Sequence, residues 1–97
     1  MASVVVCSLA EIDYVESLCW YAERSAEAAN AFEAEFDRAI RAIAADPERF
    51  PNCDERHRFC LLQRFPFRII YRTILDKVIV IAVAHSSRSP DYWSNRS

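Results

Sequence analysis

Phe65-Pro66-Phe67-Arg68-Ile69-Ile70-Tyr71-Arg72 and, a few residues on, Val78-Ile79-Val80-Ile81-Ala82-Val83-Ala84-His85-Ser86-Ser87-Arg88 decide the fold. The first run is rich in aromatic and β-branched residues, with arginines at alternating positions, and reads as a strand. The second is apolar without alternation, which suits a strand covered on both faces. Leu75-Asp76-Lys77 separates them, so a hairpin is the natural connection. The chain upstream is built to cover this pair, and a short polar tail follows it.

Ninety-seven residues give enough core for one domain over residues 1–97 without staples. No run approaches the ~18 apolar residues of a membrane span. The start lacks the basic segment of a secretory signal, so the expected location is cytoplasmic. Cysteines 7, 19, 53 and 60 form no C-x-x-C pair. They read as free thiols of a reducing compartment. The chain has no glycine. That excludes the Gly-rich phosphate-binding loops of nucleotide enzymes.

Charge is polarised along the chain. Residues 1–48 hold ten acids against three bases, and residues 49–97 hold nine bases against four acids. Eleven of the twelve bases are arginine, the cation suited to phosphate and carboxylate forks. The acidic half reads as a solvated helix surface and the basic half as a face for an anionic partner.

In chain order, Ser3-Val4-Val5-Val6-Cys7 is a first strand. Ser8-Leu9-Ala10-Glu11 has capping-box form, with Ser8 accepting from the N–H of residue 11 and Glu11 reaching back. Leu9, Ile12, Val15, Cys19 and Ala22 follow at helical spacing as the expected apolar stripe of a first helix. Ser25 can end that helix and cap the next. Phe32, Phe36, Ile40 and Ile43 form the stripe of a second helix over about 26–45, which Asp46-Pro47 stops. An irregular stretch over 46–58 leads to a strand over 58–63 and the tight Arg64-Phe65-Pro66 corner. The order β-α-α-β-β-β, with a short tail helix near 90–95, predicts an α+β two-layer fold. A helix hairpin packs on a mostly antiparallel sheet.

Three blocks carry a resemblance: Pro47-Glu48-Arg49-Phe50-Pro51, Arg64 to Arg72, and Ala82-Val83-Ala84-His85-Ser86-Ser87-Arg88-Ser89-Pro90-Asp91-Tyr92-Trp93. Together with Trp20-Tyr21 and Ala31-Phe32 in the helices, they resemble the RelE/ParE superfamily of bacterial type II toxins, closer to its ParE side. The resemblance implies a small cytoplasmic toxin without cofactor or metal, neutralised by a cognate antitoxin in a hetero-oligomer. Some members cut mRNA on the ribosome and others poison DNA gyrase. Arg68 matches the family's strand arginine, Arg88 the arginine past the last strand, and Tyr92 the C-terminal tyrosine. In the nucleases these groups hold the phosphate and stabilise charge without a metal. His85 is a further candidate acid or base. The best-known nucleases also carry two lysines on the second strand, and the matching positions here are Phe59 and Leu61. The gyrase poisons lack that pair as well. A basic pair facing the same side as Arg68 would favour cleavage, and Arg58 and Arg64 are its only candidates.

Each of these residues also has a structural reading. Arg68 and Arg72 can be the solvent face of a half-covered sheet. Arg88 can pair with Asp91 or Asp76. His85 can be a structural histidine bonded to backbone at a strand end, and Tyr71 a core residue whose hydroxyl reaches a polar rim. Tyr92-Trp93 can pack the tail on the sheet rather than stack a base. As partner-binding candidates, Arg58, Arg64, Arg72, Tyr71 and Trp93 stand beside the catalytic candidates. An acidic antitoxin segment over Arg64, Arg68 and Arg72 is the expected mode of neutralisation. Cys53, His57 and Cys60 straddle a loop–strand boundary that points neighbours to opposite faces, so no metal site is expected there.

Overall fold

A computed structural model describes residues 2–96. Strands β1 (Ser3–Val6), β2 (Arg58–Leu61), β3 (Phe67–Ile74) and β4 (Lys77–His85) form one sheet in the order β1-β4-β3-β2. The β2–β3 and β3–β4 pairs are antiparallel, and β1 runs parallel to β4. The sheet is therefore mixed, with its antiparallel part as expected and a parallel edge. Helices α1 (Ser8–Arg24) and α2 (Ala26–Ala45) cover one face, and a single turn of helix, α3 (Asp91–Ser94), lies in the tail. This is the α+β, two-layer arrangement the pattern predicts.

Local chemistry explains the boundaries. Ser25 is the whole α1–α2 connection: its φ of −166° breaks the helix, its N–H donates to the Tyr21 carbonyl, and its Oγ accepts from the Ala28 N–H at 3.2 Å. The expected capping box at Ser8 is not formed. Cys7 is the N-cap and its carbonyl, not a side chain, accepts from Glu11 N–H, so Ser8 already lies inside the helix. β2 ends at Leu61, short of the expected residue 63, because Leu62 turns into the core and donates its N–H to Phe67. A bulge at Ile70/Tyr71 leaves Ile81 unpaired, since Ile70 pairs with Ala82 and Tyr71 with Val80.

Between helices and sheet lies an aromatic core. Phe32 is fully buried and contacts Tyr14, Tyr21, Phe65 and Phe67 at centroid distances of 5.2–5.7 Å. Such pairs add about 0.5–1.5 kcal/mol beyond burial. The α2 stripe is as expected, with Phe32 and Ile43 buried and Phe36 and Ile40 packed against them. The α1 stripe is not. Leu9, Ile12 and Val15 are about half exposed, and Cys19 and Ala22 are exposed, while Ala10, Tyr14, Leu18 and Tyr21 face the core. The larger apolar volume of the tyrosine–leucine face decides the rotation.

Candidate functional site

Register assigns each strand residue to a face. Leu61 pairs with Arg68 and Arg68 with Ala84, so these lie on the outer face, opposite the helices, together with Phe59, Ile70, Ile79 and Arg72. Trp93 is buried there on Ile70, Ile81, Ala82 and Ala84, with its ring edge-on to His57 at 5.4 Å. Arg58 pairs with Tyr71 and points to the helix face, where its Nη1 donates to the carbonyls of Phe50 and Glu48 at 2.6 and 3.2 Å. It pins the irregular segment and does not join Arg68.

Around Tyr92 the outer face gathers its cations. The Arg88 guanidinium stacks on the ring at 3.7 Å and Arg96 at 5.0 Å, whereas the Arg68 guanidinium lies over Phe59 at 5.5 Å. Stacking, rather than an ion pair with Asp91 or Asp76, is what the structure gives Arg88. Burial raises the Tyr92 phenol above its ordinary pKa, further helped by Asp13 and opposed by Arg88, Arg96 and Arg68. The phenol therefore stays protonated at neutral pH. His85, at the end of β4, accepts the Ser87 N–H on Nδ1 at 3.1 Å, with Ser87 Oγ at 2.7 Å. An Nδ1 that accepts leaves the proton of the neutral ring on Nε2. His85 is thus bonded to backbone at the strand end and half-buried.

Two candidates serve the interior. Tyr71 is fully buried in the helix-side core and its hydroxyl donates to the Pro47 carbonyl, so a partner cannot reach it. Trp93 is 6% exposed and holds the tail on the sheet. Arg64 is exposed at the corner before β3, with φ of 70°. Arg72 is half-buried on the outer face. Among the described residues, no cluster of three His, Cys, Asp or Glu is placed to hold a metal. His57 instead bonds Asp54 through Nδ1 at 2.9 Å, and Cys60 faces the other side of the sheet.

Sequence reasoning missed Asp13 and Arg96. β1 covers only Lys77–Val80 of β4 and then turns into α1 through Cys7, whose N–H donates to Val80. The next stretch of β4 edge is covered by side chains: Asp13 Oδ2 accepts the Val83 N–H at 3.0 Å, and Arg96 Nη1 donates to the Ile81 carbonyl at 3.1 Å. An acid between Ile12 and Tyr14 was the available signal, since a buried carboxylate needs donors. A groove of about 570 Å³ opens beside this edge, lined among others by Glu16, Trp20, Phe67, His85, Arg88 and Tyr92.

A helix hairpin backing a four-stranded mixed sheet, with arginines around a tail tyrosine on the open face, defines a small two-layer α+β protein. Residues 9–90 match the family described as the ParE toxin of the type II toxin–antitoxin system parDE, and the chain belongs to that family. A solved structure described as the chromosomal ParDE TA system from P. aeruginosa has a similar fold. Its TM-score is 0.75 at 16% identity, over 88% of this chain and 96% of that one. No curated protein matches the chain in sequence. Among the described residues, no helix is long and apolar enough to cross a membrane.

Proposed function

We propose that this toxin arrests growth by binding DNA gyrase through its outer sheet face, and that a cognate antitoxin neutralises it there. One observation carries the choice of binding over mRNA cleavage. The two second-strand positions facing out beside Arg68 are Phe59 and Leu61, and Leu61 is 59% exposed. Arg58 faces the other way, so β2 contributes no base beside Arg68 to move a proton or shield a phosphate. An exposed leucine among arginines is a contact surface for a protein.

Neutralisation follows from the same charge. Arg64 and Arg68, with Arg72 beside them, offer an acidic antitoxin segment a site whose occupation blocks the face by charge and bulk. The complex is then strongly weakened by salt.

Pulse-labelling after controlled induction tests the target. Early loss of DNA synthesis supports the gyrase reading. Early loss of protein synthesis overturns it in favour of a ribosome-dependent mRNA endonuclease. Unimpaired growth with intact antitoxin binding marks a non-toxic relative acting in transcriptional autoregulation.

A further inference from the structure

The solvent face of α1 is built like one half of a coiled coil. Ile12, Val15, Cys19 and Ala22 are all exposed and are spaced three, four and three residues apart. That is the a-d-a-d pattern of a helix–helix seam. Glu11 borders it at a g position and Glu16 and Glu23 at e positions, all three exposed and all acidic. The core does not use this seam, because α1 rests on Ala10, Tyr14, Leu18 and Tyr21. From Ile12 to Ala22 it runs about 15 Å, the length of roughly one and a half heptads of a partner helix.

We infer that this seam docks an amphipathic helix of a partner protein, apolar at heptad spacing and flanked by lysine or arginine. Flank charge selects the occupant. Bases at e and g pair with Glu11, Glu16 and Glu23, whereas an acidic-flanked helix is repelled. A second copy of this chain meets the same repulsion, because the charged residues on its own flanks, Glu11, Glu16 and Glu23, are all acidic. The sign is also opposite to that of the arginine face, so this site takes a different segment from the acidic one proposed there.

Two synthetic helical peptides of three heptads test this by fluorescence anisotropy against the whole chain. They share isoleucine and leucine at a and d, and differ in carrying lysine or glutamate at every e and g. The lysine peptide is expected to bind at least tenfold more tightly than the glutamate peptide. Ile12→Gln with Val15→Gln should weaken it at least tenfold at unchanged net charge. Both positions are exposed and glutamine favours helix, so the thermal midpoint reports that the fold is intact. Glu16→Lys with Glu23→Lys should reverse the preference between peptides. Equal binding of both peptides, or full lysine-peptide binding by the glutamine variant, overturns the proposal. So does a wild-type dimer that the glutamine variant dissociates, which would make the occupant a second copy.

Discussion

Arg96, in the tail, grips Asp13, in the first helix, with Nη1 2.7 Å from Oδ2 and Nη2 3.3 Å from Oδ1. Both side chains are largely buried, at 13% and 9% exposed. The same carboxylate holds the Val83 N–H, so one acid ties α1 to β4 and to the tail. Breaking such a pair from one side leaves a buried charge without its partner and costs about 3–5 kcal/mol. Asp13→Ala should fall in that range because Val83 N–H is orphaned as well, and Arg96→Ala should cost less because Asp13 keeps the Val83 N–H as a donor. Denaturant unfolding of both singles and the double yields the coupling energy, expected above about 1 kcal/mol. Additive singles would show that the pair is incidental.

The Tyr71 phenol is pushed up to about 12 by burial. Its folded value lies above the unfolded one near 10.0, so its contribution is whole below pH 10 and is lost as pH rises through 12. Burial also raises Tyr14, Tyr21 and Tyr92, so all four tyrosines should ionise late, and absorbance at alkaline pH should climb together with unfolding. Tyr71→Phe removes the donor to the Pro47 carbonyl, should cost about 1–2 kcal/mol at pH 7, and should flatten the alkaline loss. A tyrosine that ionises near pH 10 while the chain stays folded contradicts this picture.

Glu35 sets the acid side. Its Oε2 accepts from the Arg38 guanidinium at 2.6 Å and from the Gln63 N–H, which ties α2 to the loop after β2. The Arg38 hydrogen bond lowers its pKa most, with the Gln63 N–H acting the same way against desolvation. A lowered folded value means the contribution is present above the unfolded pKa, near 4.5, and is lost as pH falls through the folded one. Glu35→Gln should cost about 1 kcal/mol at pH 7 and progressively less as pH falls below 4.5, measured as converging urea midpoints. Midpoints that stay parallel through that range would assign the loss to packing.

On the outer face the prediction concerns function. Arg68→Ala and Arg88→Ala should each relieve growth arrest on induction while moving stability by no more than about 0.5 kcal/mol, as for other surface positions. Arg58→Ala should do the reverse: it frees two carbonyls of the irregular segment, costs about 1–2 kcal/mol, and reduces arrest only as far as it reduces folded protein. Full toxicity of both outer-face variants would make those arginines scaffold.

Much of this was legible in the sequence, and the failures have causes. The β3–β4 hairpin declared itself because β-branched content and a run apolar on both faces agree. Ser25 was readable because a cap needs only one hydroxyl in one place. The α1 face was misread because periodicity finds an apolar stripe without saying what it faces. Tyr14, Leu18 and Tyr21 on the other side fill more of the core than Ile12 and Val15. Arg58 escaped assignment because its direction depends on the β2–β3 register, which no local pattern fixes. Asp13 and Arg96 meet across the length of the chain, and only the shortness of β1, which exposes the edge of β4, creates their partner.

The tip of the β3–β4 hairpin gives the last prediction. Ile74 pairs with Lys77, so Leu75-Asp76 is the whole turn. Leu75 alone of the two has positive φ, at 56°, and its side chain is 97% exposed. Positive φ at only the first central position is the mark of a type II′ turn, where glycine belongs. A leucine there crowds its Cβ against the carbonyl at a cost of about 1–2 kcal/mol, with no burial to offset it. Glycine removes the clash but frees the unfolded chain, which returns about 0.5–1 kcal/mol. Relief is the larger quantity, so Leu75→Gly should stabilise the protein by roughly 0.5–1 kcal/mol net. The turn lies on neither the arginine face nor the α1 seam, so growth arrest and peptide binding should be unchanged. A lower unfolding midpoint for this variant would mean that the leucine conformation carries no strain.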